Sequence, residues 1–134
     1  MSRSKQFLGL DVGTVRIGVA IGDSQVRLAT PLTTLAVDGT ELDEIAKLVN
    51  SHNIDTVVIG YPRNQSGETT KQTGLVEAFA SSLQVNADTV FQDESLTSVL
   101  AEDRLKQRGG PYQKADIDKT AASILLQDYL EQHP

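Results

Sequence analysis

Two short apolar runs, Phe7 to Leu10 and Ile17 to Ile21, flank a tight turn at Gly13-Thr14, which predicts a β-hairpin. In the second run Ile17, Val19 and Ile21 fall on one face, and Gly18, Ala20 and Gly22 on the other. A strand face with almost no side chain predicts that a neighbouring element approaches closely there. Residues 28–37 predict a third strand, with Pro31 marking an edge or a bulge. Thr40 predicts the start of a helix, with Asp43 in a capping-box-like arrangement and Leu42, Ile45, Ala46 and Val49 as the apolar stripe.

The run DTVVIG (55–60) reads as a strand buried on both faces, and the polar segment YPRNQSGETT (61–70) as a loop. Leu75, Val76, Phe79, Ala80 and Leu83 line one face of a second helix. Residues 88–94 predict another strand and 97–108 a third helix. Gly109-Gly110-Pro111 continues neither helix nor strand, so 109–115 is expected to be an exposed, mobile loop. A last helix runs from about Ile117 to about Leu130. The order β-β-β-α-β-α-β-α-α predicts an α/β fold: a mixed five-stranded sheet with helices on both faces and the opening strand central. A length of 134 residues supports a single domain, 1–134, with a core that needs no staple.

Against this frame, several carboxylates stand where apolar patterns lead. Asp11 ends the first strand, where it either accepts hydrogen bonds from its own turn or serves a site. Asp93 and Glu94 close the 88–94 strand on opposite faces, so at most one can join Asp11; otherwise both are solvated strand-end charges. In the last helix Asp118 shares a stripe with Ala121, Ala122, Leu125 and Tyr129, and therefore faces inwards. Asp116 shares a polar stripe with Thr120, Ser123 and Gln127 and reads as an N-cap or first-turn acid. An inward carboxylate needs a partner or a metal. Converging carboxylates repel one another unless a cation neutralises them. Oxygen-only ligands select a hard ion, Mg²⁺ or Mn²⁺, and two such ions about 4 Å apart activate a water and stabilise the leaving oxygen of a phosphodiester.

Composition narrows the chemistry further. The chain has no cysteine and two histidines, which excludes thiol nucleophiles and disulfides and argues against a Cys/His metal site. No Gly-x-Ser-x-Gly elbow accompanies His52, so a Ser/His hydrolase is not indicated. A net charge of -6 argues against coating nucleic acid by bulk electrostatics. It leaves room for a local strip: Arg104, Lys106, Arg108, Lys114 and Lys119 form either a solvated helix face or a backbone-binding patch. No apolar run is long enough for a membrane span, and the first residues lack a signal-peptide core, so a cytoplasmic protein without membrane contact is expected.

Four segments, GLDVGTVRIGVA, VIGYPRNQSGE, DESLTS and DIDKTAASILLQDYL, resemble the YqgF family in order and spacing, from about Phe7 to about Leu130. That family has an RNase H-like (RuvC-like) fold, and its members are described as pre-16S rRNA nucleases or Holliday-junction-resolvase-like proteins. The resemblance implies a metal-dependent nuclease carrying one or two Mg²⁺ or Mn²⁺ ions. It puts the catalytic, metal-binding acids at Asp11, Glu94 and Asp118, preferring Glu94 to Asp93. It makes Arg16 a phosphate contact rather than a surface hairpin arginine. It also gives Arg104, Lys106, Arg108 and Lys114, beside the 109–115 loop, a role in holding a nucleic-acid backbone. Two positions depart from the family: Ser95 stands where an arginine is common, and Arg63, where an apolar residue is usual, is a candidate substitute charge. The implied partners are structured RNA or branched DNA and the ribosome-assembly or transcription machinery.

Three other functions compete. A branched-DNA resolvase shares every one of these features. Nucleotide phosphotransfer is suggested by Asp11-x-Gly13-Thr14, but those proteins close two related domains over ATP and this chain has length for one. A catalytically silent RNase H-like interaction module is favoured by Ser95 and the acidic balance.

Overall fold

The computed structural model describes residues 4–62, 71–94 and 97–133. The elements are β1 (Gln6–Val12), β2 (Arg16–Asp23), β3 (Thr30–Ala36), α1 (Glu41–Ser51), β4 (Thr56–Pro62), α2 (Lys71–Ser82), β5 (Asp88–Glu94), α3 (Thr97–Arg108) and α4 (Lys114–Gln132). Arg63 and Ser95 lie outside the described residues.

The five strands form one mixed sheet in the order β3-β2-β1-β4-β5, with β1 central. β1 is antiparallel to β2 and parallel to β4, and β4 is parallel to β5. Val57, Val58 and Ile59 are fully buried, which is why β4 carries an unbroken apolar run instead of an alternating one. One sheet face packs Leu8, Leu10, Val12, Ile17 and Val19 against Ile45 and Val49 of α1 and Val76 of α2. The other packs Phe7, Ala20 and Val58 against Ala122, Leu126 and Leu130 of α4. α3 covers the outer side of α4, with Ala101 against Ala121 and Ile124. The sheet lets α4 come close because small residues lie beneath it: a Cβ on Gly9 would stand 2.9 Å from the Leu126 Cβ. β3 is an edge strand and also bulged, the register shifting between Val19 and Ala20, where Ala20 meets Pro31.

Several expectations need correction. α4 begins at Lys114, not near Ile117, because the N-cap Gln113 donates its backbone N–H to Asp116 Oδ2 at 2.9 Å and so starts the helix earlier. The loop before it shrinks to 109–113, where Gly109 and Gly110 both adopt φ +83°, a conformation open to residues without a Cβ. Thr40 makes no side-chain cap: its hydroxyl donates to Asp38 Oδ1 at 2.6 Å instead, and these Thr40 bonds hold the Asp38 carboxyl below its ordinary range. Leu75 is half exposed; α2 buries Val76, as its stripe predicts, and Thr73, which the stripe leaves out. The polar stripe of α4 is not a solvated one: Thr120 and Ser123 are buried, and Ser123 Oγ donates to the Thr120 carbonyl at 2.7 Å. Gln127 is likewise used, accepting from Ala29 N–H at 2.9 Å and donating to the Arg27 carbonyl at 3.1 Å.

Candidate active site

Asp11 lies within β1, and its ladder partner in β2 is Gly18. Phe7 and Gly9 face α4, so strand alternation turns Asp11 to the same face. The absent side chain of Gly18 decides what happens there. A Cβ at that position would lie 1.9 Å from the Asp118 carbonyl oxygen, so the first turns of α4 press directly on β2 opposite Asp11. Thr34 Oγ1 donates to the Ala115 carbonyl at 2.6 Å and ties the same helix end to β3. The α4 turn that carries Asp118 is thereby brought against the ladder partner of Asp11, a residue 107 positions away in the chain (118 minus 11).

Arg16 opens β2 on that same face and donates its Nε–H to Asp118 Oδ2 at 2.5 Å. The pair is sheltered, with side chains 35% and 23% exposed, so it is screened less than a surface ion pair. This contact was not anticipated from the sequence. The available signal was parity, which puts Arg16 on the small face of β2 with Gly18.

Glu94 ends β5 opposite Pro62. By alternation its position belongs with Val90 and Gln92, which face α4, whereas Asp93 belongs with Phe91, whose ring lies 5.0 Å from that of Tyr61. Two strand spacings, roughly 10 Å, separate β5 from β1, with β4 between them. The Glu94 side chain is outside the description, and among the described residues no three acids or histidines form a metal-binding group. No helix, among the described residues, is long and apolar enough to cross a membrane.

The basic residues divide. Arg104, Lys106, Arg108 and Lys114 are exposed, and none forms an ion pair with another described residue. Arg108 acts on Asp116 at the start of α4, close in sequence to Lys114. Arg104 acts instead on Asp128, further along α4, whose carboxyl is pushed up by burial and by Glu131. The four therefore do not all gather at Asp118.

Asp116 is held below its ordinary value of 3.8, first by the Gln113 backbone N–H and then by Lys119 and Arg108. A lowered carboxylate stabilises the fold above the unfolded pKa and loses that contribution as the pH falls through the folded value. Asp116→Asn is therefore expected to melt lower than the parent at pH 7, with the gap closing towards pH 2. A gap that stays constant across paired thermal melts in that range would remove the carboxylate from the cap.

The sequence matches the family model of RuvX, Holliday junction resolvase, over residues 5–132. A relative from Chloroflexus aurantiacus, named "Putative pre-16S rRNA nuclease", is 44% identical over 131 residues, covering 93% of this chain and 86% of its own. One of the same name from Synechocystis sp. is 39% identical over 137 residues, covering 98% and 90%. Among solved structures the fold resembles Thermus thermophilus RuvC in complex with a Holliday junction substrate, with TM-score 0.56, 10% identity and coverage of 96% and 94%. It also resembles the fowlpox virus Holliday junction resolvase, with TM-score 0.54, 16% identity and coverage of 95% and 99%. At these identities the likeness is one of fold: the RNase H-like fold of the RuvC resolvases.

Proposed function

The chain belongs to the RuvX family, and from that premise we propose that it is a divalent-metal-dependent nuclease hydrolysing phosphodiester bonds, with pre-16S ribosomal RNA as its substrate. Residues 1–134 act as one RNase H-like nuclease domain, and rRNA processing puts it in the cytoplasm beside the ribosome-assembly machinery. The observation that supports the reading is the packing of the α4 turn that carries Asp118 on Gly18, the ladder partner of Asp11.

The donor chemistry fits a hard ion. Both acids offer only carboxylate oxygens, and Asp118 already accepts a cationic partner in Arg16. Asp11, Glu94 and Asp118 would hold one or two Mg²⁺ or Mn²⁺ ions. Such an ion, when bound, supplies an acidified water and neutralises charge at the phosphoryl oxygens. The chain's own residues supply preorganisation. The ladder fixes Asp11, and contact with Gly18 fixes the Asp118 turn, so neither has to be reordered when substrate arrives. Arg16 offers a guanidinium fork to a phosphate oxygen. Arg108 and Lys114 contact flanking phosphates without reading bases, and Arg104 and Lys106 serve as outer contacts along α3.

The family description and the RuvC-like fold favour one second reading, cleavage of branched DNA. Offering a 5′-extended pre-16S RNA and a four-way DNA junction side by side, with Mn²⁺, separates the two. The RNA is expected to be cut faster. Preference for the junction would move the substrate to DNA, and no cutting of either would leave the silent-module reading. The double variant Arg108→Ala/Lys114→Ala is expected to weaken RNA binding uniformly across sequences. It should flatten the dependence of log K on log salt by roughly 0.7 to 0.9 per lost contact. An unaltered slope would return these residues to a solvated face.

A further inference from the structure

Among the described residues, the cation paired with a proposed metal ligand is Arg16, bonded to Asp118 at 2.5 Å. A guanidinium and a divalent ion on one carboxylate repel each other strongly at such range. The helix end does not depend on Arg16 for its position, since the Gly18 contact and the Thr34–Ala115 bond hold it. Arg16 also borders solvent. It stands at the first residue of β2, beside exposed Thr14 and Val15, with its own side chain 35% exposed.

We propose that Arg16 is an exchangeable internal cation: it neutralises Asp118 until a divalent ion takes that carboxylate, and the released guanidinium then takes a phosphate of the nucleic acid. The inference rests on the nuclease reading and adds a link to it. Metal and phosphate each favour the other's binding, because each needs Arg16 in the same displaced position. The fork geometry suits both partners, since carboxylate and phosphate present similar paired oxygens.

The test is a calorimetric titration with Mn²⁺ alone of the parent, Arg16→Gln and Lys119→Gln. Lys119 adjoins Asp118 but pairs with Asp116 at 3.5 Å, so it reports nearby charge without competition for the ligand. Arg16→Gln is expected to bind Mn²⁺ about fivefold more tightly, the worth of a good exposed-to-sheltered ion pair. Lys119→Gln should stay within about twofold of the parent on the same scale. Equal tightening in both variants, or none in Arg16→Gln, overturns the exchange. If Arg16→Gln does not fold, Arg16→Lys replaces it, with a smaller tightening expected. A second measurement uses RNA binding in chelator and in Ca²⁺. Arg16→Gln should lose affinity mainly with Ca²⁺ present, and equal loss in both conditions also overturns the proposal. Uptake of neither Mn²⁺ nor RNA by the parent would sink the nuclease reading together with it. Uptake of both, with no tightening in Arg16→Gln, sinks the exchange alone.

Discussion

Replacing Asp11 by Asn is expected to leave the fold intact and to reduce phosphodiester cleavage by roughly 10³-fold, about 4 kcal/mol of transition-state stabilisation. The substitution keeps the shape of a half-buried side chain and its place in the ladder opposite Gly18. What it removes is one negative charge from the proposed metal-binding set, on the strand position whose ladder partner packs under the Asp118 turn. An amide oxygen binds a hard cation weakly, and the new N–H₂ group repels it. Stability should change little, by about 1 kcal/mol at most, because the loss of like-charge repulsion offsets any lost hydrogen bond. RNA binding in chelator should hold or tighten, since a charge that repels phosphate is gone. Single-turnover cleavage of the RNA substrate, run beside a thermal melt, separates these effects. Cleavage at the parental rate by a fully folded Asp11→Asn protein would remove Asp11 from the chemistry.

Sequence patterning reached the architecture because β1, β2 and β4 have sharply different apolar signatures. β2 alternates large and empty faces, and β4 is apolar throughout, which already separates a strand under a close helix from one buried in the middle of the sheet. The empty face of β2 also foretold the approach of α4, and Gly18 is where that approach is closest. Asp118 was legible as inward-facing because it shares a stripe with Ala121, Ala122, Leu125 and Tyr129, of which the first three are fully buried and Tyr129 partly so. Periodicity failed where a helix has no solvent face. Thr120 and Ser123 read as a polar stripe by spacing, yet both are buried, and a short hydroxyl can satisfy itself on its own helix backbone. The Arg16–Asp118 pair joins residues 102 positions apart, and no local pattern encodes which cation reaches which acid. The start of α4 erred for a related reason: Gln is not a residue type that marks an N-cap, and only its backbone bond to Asp116 reveals Gln113 there, whereas Thr40, a favoured type, does stand at the N-cap of α1.

Gly18→Ala is expected to be the most disruptive single methyl group in the described structure. Its Cβ would lie 1.9 Å from the Asp118 carbonyl oxygen and 2.9 Å from the Lys119 nitrogen, both backbone atoms that no rotamer change can move. Relief requires α4 to shift by about 1 Å or more to restore ordinary contact, against a core in which Ala122, Leu126 and Leu130 are already close-packed on the sheet. A cost of about 3 kcal/mol, or roughly 10 °C in Tm, is expected. Gly74, in α2, supplies the opposite control: nothing lies within 4 Å of its Cβ position. Gly74→Ala should raise stability by about 1 kcal/mol through helix propensity alone. The two substitutions thus add the same atom with opposite signs. Stability is only half of the expectation for Gly18, because the turn that must retreat carries Asp118. At a temperature where Gly18→Ala remains folded, cleavage should still fall well below the parent, since a displacement of about 1 Å at a catalytic group can cost on the order of 10²-fold. A Gly18→Ala protein that melts lower but cleaves at the parental rate would mean that the close approach of α4 serves packing alone, and that Asp118 acts from a position the β2 contact does not set.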